Sequence, residues 1–186
     1  QYCAVSALLL FLPMTPLLWM GQEWAASAPW LFFSDHPPEL GQMVTKGRRA
    51  EFAAFAAFRD PHKRDSIPDP QAESTFNNSR LDWAERDRPP HRGVLELYRT
   101  LLHLRRDDAV LNATDREDMS VGTDGTRLWV RRSGAAGERL LVVDFGPAPD
   151  LRPPVEGAWE YLLDTSSAGL PPARAAIYTL DAQVAE

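Results

Sequence analysis

The first 22 residues carry no charged side chain and are mostly apolar. Residues 2–12 form one apolar run and residues 17–20, Leu-Leu-Trp-Met, form a second, shorter one. Pro13 and Pro16 lie between the runs and predict a turn. A parallel strand that is covered on both faces has a continuous apolar sequence. We therefore predict a buried helix followed by a buried strand.

Two other interpretations of this segment fit less well. A transmembrane helix needs about 20 uninterrupted apolar residues, and the two prolines break the run. A signal peptide cleaved near Ala26-Ser27-Ala28 needs a basic leader, which residues 1–22 lack. We expect no membrane association. Because an apolar strand needs partner strands that the rest of the sequence does not provide, we also expect the chain to begin inside a domain.

The central part of the chain predicts one helix and one loop. Residues 39–58 predict a helix, in which Phe52, Phe55 and Phe58 recur every three residues as a buried stripe. Residues 59–78 are polar, contain prolines and show no periodicity, which predicts a long loop.

A second helix follows Pro89-Pro90. Apolar side chains recur at helical spacing over residues 94–105. Arg105 and Arg106 would then lie in the last turn, where the helix dipole favours cations.

After residue 111 the pattern changes to that of β-strands. A Ser-Gly-Ala-Ala-Gly stretch at 133–137 predicts a turn, and four runs around it predict strands: 126–132, 139–145, 159–163 and 175–180. This spacing predicts a small antiparallel β-sandwich. We expect an α/β chain with two domains, residues 1–111 and residues 112–186.

Composition excludes several kinds of site. The 20 Lys and Arg residues against 26 Asp and Glu give a net charge of −6, which disfavours nucleic-acid binding. The single cysteine, Cys3, excludes an internal disulfide and a cysteine-based zinc site. The four histidines lack metal-ligand spacing, and no cofactor motif is present, so we predict no cofactor.

Several motifs resemble one enzyme superfamily. Residues 15–24, Thr-Pro-Leu-Leu-Trp-Met-Gly-Gln-Glu-Trp, resemble the eighth-strand segment of the α-amylase superfamily, and Leu81-Asp82-Trp83 also occurs there. Residues 32–36 (Phe-Phe-Ser-Asp-His), 47–52 (Gly-Arg-Arg-Ala-Glu-Phe) and 67–71 (Ile-Pro-Asp-Pro-Gln) resemble the malto-oligosyltrehalose trehalohydrolase family within it.

The resemblance covers residues 1–110 well and the β-rich tail loosely. The Met-Gly-Gln-Glu part alone would also fit a glycogen branching enzyme. A non-catalytic carbohydrate-binding module is a further alternative.

The resemblance implies a fold and a reaction. The fold is a (β/α)8 barrel with a C-terminal β-domain, so residues 1–111 would be the C-terminal end of the barrel. The family hydrolyses the α-1,4 bond that joins trehalose to a maltooligosyl chain, with one carboxylate as nucleophile and another as acid. The family pattern places these groups at barrel strands that would precede residue 1. The resemblance therefore implies a chain without catalytic residues, inactive by itself, from a cytoplasmic enzyme that acts on α-glucans.

Four residues are candidates for the rim of the substrate site. Glu23 and Trp24 follow the predicted strand, where α/β barrels place functional loops. Glu23 would support the site through an arginine or a loop, and Trp24 would either stack on a sugar or pack internally. Asp35 and His36 would stabilise a loop or bind substrate hydroxyls, because no nucleophile stands at a matching motif.

Other aromatic and basic residues have two interpretations. Trp30, Phe32 and Phe33 would stack on sugars or pack the loop. Trp129 and Trp159 would form a carbohydrate-binding surface or pack in the β-part. Residues 47–49, Gly-Arg-Arg, lack the strand-turn-helix context of a phosphate loop and predict a solvated helix face.

Overall fold

A computed structural model describes residues 1–52, 55, 60, 66–169 and 172–181. Packing divides the chain into two compact units. The first contains Gln1–Ala26 and Ala84–Glu186, and the second contains Ser27–Trp83. The domain boundary at residue 111, which rests on the change of sequence pattern there, stays a prediction.

Four α-helices and five strands are described. The helices are α1 (Tyr2–Phe11), α2 (Pro38–Phe52), α3 (Glu73–Asn78) and α4 (His91–Asp107), and 3₁₀ turns lie at Gln22–Trp24, Trp83–Asp87 and Thr165–Ala168. The strands are β1 (Met119–Asp124), β2 (Arg127–Gly134), β3 (Gly137–Asp144), β4 (Glu160–Asp164) and β5 (Ala175–Asp181).

The predicted helices are confirmed, with two corrections in the second unit. The described part of α2 ends at Phe52, and Phe55 lies in a bend with 58% of its surface exposed, so the phenylalanine stripe does not reach it. Phe58 lies outside the described residues. The loop predicted over 59–78 contains α3, whose buried Thr75 donates its hydroxyl to the Asp69 carbonyl at 2.6 Å. Tertiary packing of this kind can stabilise a short helix that periodicity alone does not reveal.

The strand predicted at residues 17–20 does not form among the described residues, and the barrel end to which it would belong stays a prediction. The segment pairs with no strand in the described ranges. Leu17 is 88% exposed and Met20 is 65% exposed, so the segment is not covered on both faces. A strand needs a hydrogen-bonded neighbouring strand. The described strands all belong to one sheet, which does not include residues 17–20.

The five strands form one antiparallel sheet in the order β1-β2-β3-β5-β4. The predicted sandwich is therefore wrong within the described residues, because they contain one sheet rather than two. The sequence pattern missed β1, whose apolar alternation is interrupted at Gly122. Trp129 lies directly across from Gly122, and a Cβ at this position would come within 2.2 Å of the indole ring. The ring therefore supplies the apolar cover that glycine lacks.

The core of the first unit lies between the sheet and two helices. α1 and α4 pack against each other, and α1 contacts β3 and β5. The core side chains come from both helices and the three central strands: Leu10, Phe11, Leu97, Tyr98, Leu101, Val130, Leu141, Val143 and Ile177. This core covers the face of β3 that carries Leu141 and Val143. Leu140 and Val142, on the opposite face, are buried as well, so the apolar run of β3 is continuous.

Two arginines bind the carbonyl groups at the end of α1. Arg132 of β2 is 3% exposed, and it donates to three backbone carbonyls, those of Phe11, Leu111 and Ala113. Arg105 of α4 donates to four more, those of Leu10, Leu12, Pro13 and Met14. Two of these seven carbonyls, those of Leu10 and Phe11, belong to the last turn of α1, where a helix leaves carbonyls without intrahelical partners. Burial, with the neighbouring charge of Arg105, lowers the pKa of Arg132.

Gly93 allows α4 to approach the 3₁₀ turn at Thr165–Ala168. A Cβ at Gly93 would lie 2.2 Å from the carbonyl oxygen of Ala168. We expect Gly93→Ala to lower the free energy of unfolding by about 1–3 kcal/mol, because the helix must move away from the turn. Urea denaturation measures this change.

Gly47→Ala is the matched control. Gly47 lies inside α2, and a Cβ there would meet no atom within 4 Å. Alanine should favour this helix by about 1 kcal/mol. Equal effects of the two substitutions would contradict the close approach at Gly93.

Asp144, at the end of β3, is 3% exposed and accepts three hydrogen bonds. The donors are the backbone N–H of Asp150 at 2.8 Å, the hydroxyl of Thr126 at 2.7 Å and the backbone N–H of Gly146 at 2.7 Å. These bonds, with that of Asp150 foremost, hold the pKa of Asp144 below its ordinary value.

Such a carboxylate stabilises the fold above its unfolded pKa of about 3.9, and this contribution is lost as the pH falls through the lower folded pKa. Asp144→Asn should lower the free energy of unfolding at neutral pH by on the order of 1 kcal/mol. The difference from the wild type should shrink below about pH 4. Urea denaturation over a pH series checks this, with Asp118→Asn as the control because Asp118 is exposed. A difference that stays constant with pH would contradict the role of Asp144.

Candidate functional site

The turn that carries Glu23 and Trp24 has a strained backbone. Gly21 has φ of +86°, and Ala25 has φ of +54°. A positive φ is uncommon for a residue with a Cβ, and such residues persist only where their surroundings hold them. Contacts from α1 and α4 must therefore stabilise this turn.

His91, at the start of α4, holds the end of the turn. Its Nδ1 lies 2.9 Å from the carbonyl oxygen of Trp24 and 3.1 Å from that of Ala25. Because both neighbours are acceptors, Nδ1 carries the hydrogen and donates to them. The strained residue Ala25 is thus fixed by the first residue of a helix.

A polar network holds the beginning of the turn. Gln22 donates its side-chain Nε2 to the hydroxyl of Tyr98 at 3.1 Å and accepts the backbone N–H of Trp19 at 3.1 Å. Ser6 of α1 lies 2.7 Å from the same Tyr98 hydroxyl. The hydroxyl of Tyr2 donates to the Gln22 carbonyl. Side chains of both helices therefore fix the backbone of this turn.

The structure separates the two candidates on this turn. Trp24 is 1% exposed and offers no ring face to a ligand, so the packing interpretation applies and the stacking one is wrong for this chain. Glu23 is half-buried. Burial and the hydrogen bond with Tyr98 raise the pKa of Tyr2, and the negative charge of Glu23 raises it further. No arginine within the described ranges bonds to Glu23, and its place at a substrate rim stays a prediction.

In the second unit, Gln71 binds the segment that carries Asp35 and His36. Its Oε1 accepts the Ser34 hydroxyl at 2.7 Å and the backbone N–H of His36 at 3.2 Å. Its Nε2 donates to the His36 carbonyl at 2.9 Å. The backbone N–H of Ser34 also donates to the Pro70 carbonyl at 2.9 Å. The segment is therefore stabilised by hydrogen bonds to the backbone of His36, rather than by the side chains of Asp35 and His36.

Gly41 of α2 makes room for this amide. A Cβ at Gly41 would lie 2.4 Å from Nε2 of Gln71. Asp69, two residues before Gln71, accepts the Thr45 hydroxyl at 2.7 Å and the Gln71 backbone N–H at 3.0 Å. These bonds, with that of Thr45 foremost, lower the pKa of Asp69. In the sequence, Gln71 stands out only as part of the motif at 67–71, because a polar residue in a proline-rich stretch gives no sign of its partners.

A cavity of about 620 Å³ lies between the Asp35 segment and α3. Its walls are formed by aromatic, polar and acidic residues: Phe33, Ser34, Asp35, Pro70, Gln71, Ala72, Glu73 and Phe76. A second cavity of about 500 Å³ is lined by α2 together with Asp69 and Gln71. Asp35 thus lines a cavity, and His36 is not among the residues that line it.

Arg48 corrects the prediction of a solvated face at residues 47–49. Its guanidinium lies 4.5 Å from the ring centre of Phe32 and 5.1 Å from that of Phe52. Distances of this kind are typical of cation–π contacts. Phe32 is therefore partly packed against α2, and its ring is 41% exposed.

The tryptophans of the β-part pack on their own unit. Trp129 is half-buried over Gly122, and Trp159 donates its indole N–H to the Val155 carbonyl at 3.2 Å. These contacts fit the packing interpretation. Within the described residues, no three His, Cys, Asp or Glu side chains are grouped so that they could hold a metal ion. None of the helices in these residues has both the length and the apolar character needed to span a bilayer.

The comparisons with known proteins agree with the motifs. Residues 114–180 match a family model described as a domain of unknown function, DUF3459. The chain is 53% identical over 146 residues to malto-oligosyltrehalose trehalohydrolase of Deinococcus radiodurans. This alignment covers 78% of this chain and 23% of that protein. It is 46% identical over 119 residues to the enzyme of the same name from Arthrobacter ramosus, an alignment that covers 62% of this chain and 20% of that protein. It is also 35% identical over 105 residues to the 1,4-α-glucan branching enzyme GlgB of Cupriavidus necator, covering 50% and 14%.

Solved structures show the same relationship in the fold. A putative α-amylase from Salmonella typhimurium superposes with a TM-score of 0.74 at 28% identity, over 97% of this chain and 30% of that one. An isomaltulose synthase from Klebsiella has a TM-score of 0.57 at 18% identity, over 96% and 37%, and shows the fold alone. The described antiparallel sheet is consistent with the C-terminal β-domain that the resemblance implied. The chain spans 20–23% of the length of the two trehalohydrolases described above, and over that portion it is a homologue of the malto-oligosyltrehalose trehalohydrolases.

Proposed function

We propose that this chain is the C-terminal portion of a glycoside hydrolase that cleaves the α-1,4 bond next to the trehalose end of maltooligosyl-trehalose and releases trehalose. The observation that carries this proposal is the 53% identity to a trehalohydrolase, against 35% to a branching enzyme. The motifs at 32–36, 47–52 and 67–71 support the same choice. A cytoplasmic location and a role in trehalose biosynthesis are part of this proposal.

The chemistry assigns a supporting role to this chain. A retaining glycosidase needs a nucleophilic carboxylate and an acid about 5–5.5 Å apart. Under the resemblance, these groups belong to barrel strands outside residues 1–186. Residues 1–111 would supply the end of the barrel, and the later residues would supply the β-domain. The turn with Glu23 and the segment with Asp35 and His36 would then border the substrate.

Two observations about local order support that role. His91, Tyr98 and Gln22 hold a strained turn in one conformation, and Gln71 holds the backbone around Asp35. A side chain that helps to position a substrate must be held in place by its neighbours, because errors of about 1 Å can cost 100-fold in rate. Both segments satisfy this requirement within their own units.

A chimaera tests the proposed activity. In the D. radiodurans enzyme, the 146-residue matching region is replaced by that of this chain. We expect the chimaera to release trehalose from maltotriosyl-trehalose, because the retained part supplies the catalytic carboxylates and this chain supplies a compatible end of the barrel. Chromatography of the products measures trehalose. The 186-residue chain alone should release none.

Product analysis on amylose separates the second candidate. GlgB of C. necator shares 35% identity with this chain, and a branching enzyme would form α-1,6 branches. As a control, the D. radiodurans enzyme receives the matching segment of GlgB instead. New branches from the chimaera would refute the choice of a trehalohydrolase. Sustained trehalose release by the isolated chain would refute the proposal that the catalytic carboxylates lie outside residues 1–186.

A further inference from the structure

The cavity beside α3 combines the two kinds of surface that bind neutral sugars. Its volume of about 620 Å³ falls in the range of small-molecule sites. Hydroxyl groups of a sugar donate to carboxylates, while the C–H faces of its ring pack on aromatic side chains. Both types of group line this cavity, on two segments of the second unit.

The aromatic side of the cavity is a corner formed by two rings. The ring centres of Phe33 and Phe76 lie 5.2 Å apart with an angle of 76° between the planes. The two rings pack edge to face and leave 43% of Phe33 and 46% of Phe76 exposed. A pair of half-exposed rings at this angle can contact a hexose on two sides. Exposed aromatic surface has a free-energy cost in water that a ligand would remove.

The polar side consists of hydrogen-bond acceptors. Asp35 and Glu73 both line the cavity, from opposite segments, and both are exposed. Two carboxylates without a lining lysine or arginine disfavour a phosphate or another anion. They suit hydroxyl donors, because a carboxylate can accept two or more hydrogen bonds at once.

The cavity walls are held in place before any ligand binds. Gln71 bonds to the backbone of His36 and to the Ser34 hydroxyl, on either side of Asp35. Thr75 bonds to the Asp69 carbonyl and anchors α3. A preformed site loses less conformational entropy on binding than a mobile loop does.

We propose that this cavity is a subsite for a neutral glucan, with Phe33 and Phe76 packing on the sugar and Asp35 accepting its hydroxyls. The choice of a glucan over other polyols rests on the proposed function. Glu73 contributes a second acceptor, and Gln71 acts as a positioning residue. The subsite adds affinity for a part of the substrate and takes no part in bond cleavage.

Calorimetric titration of the 186-residue chain with maltotriose tests the subsite. We expect saturable binding with Kd on the order of 1 mM, as for a shallow, half-open site. Phe33→Ala should weaken binding by about tenfold through the lost apolar contact. Asp35→Asn should weaken it by about tenfold, because a charged acceptor is replaced by a neutral one. Thermal melts should show the same Tm for Asp35→Asn and the wild type, since Asp35 is exposed.

Phe32→Ala is the matched control. Phe32 is the neighbouring residue with a similar exposed fraction, but its ring packs on Arg48 and does not line the cavity. Its removal should leave the affinity for maltotriose unchanged. Equal losses at Phe32 and Phe33, or no binding by the wild type, would overturn the subsite. Binding of tetramethylammonium in place of maltotriose would also overturn it, because the cavity would then be a cation site.

The subsite and the proposed function fail in different ways. If the chimaera releases trehalose but Phe33→Ala alters neither maltotriose binding nor KM, the subsite is wrong and the function stands. If the chain binds maltotriose through Phe33 but the chimaera releases no trehalose, the function is wrong and glucan binding stands. KM should rise in the Phe33→Ala chimaera while kcat changes little, because the subsite binds ground state and transition state alike.

Discussion

The first unit depends on how the C-terminal carbonyls of α1 are satisfied. A helix leaves its last four carbonyls without intrahelical partners, and an unsatisfied buried carbonyl costs about 1–3 kcal/mol. Here Arg105 of α4 binds the carbonyl of Leu10, and Arg132 of β2 binds that of Phe11. One end of α1 is therefore joined to both the neighbouring helix and the sheet.

That end determines where the rest of α1 lies. With α1 held there, Ser6 and Tyr2 face Tyr98 and Gln22. This network fixes the beginning of the turn that carries Glu23, and His91 of α4 fixes its end at Ala25. The packing of α1 on α4 therefore holds the strained turn from both sides.

Sequence pattern predicted what local chemistry determines. A continuous apolar run revealed α1, an apolar period revealed α4, and β-type runs revealed four of the five strands, since these patterns reflect which faces are buried. The pattern missed β1 because Trp129, on another strand, supplies the cover for Gly122. It missed the role of Gln71 because that amide binds residues 35 positions away along the chain. The family resemblance rested on short sequence motifs. These motifs identified related proteins, but they did not show which residues contact each other in the fold.

The exposed segment at 17–20 affects how this polypeptide behaves in solution. Leu17, Trp19 and Met20 present apolar surface to water, and hydration of such surface becomes less favourable as temperature rises or as sulfate is added. These side chains favour association between molecules, while the net charge of −6 opposes it. Mild cooling and chloride in place of sulfate would keep the molecules apart, although neither condition alters the packing inside them.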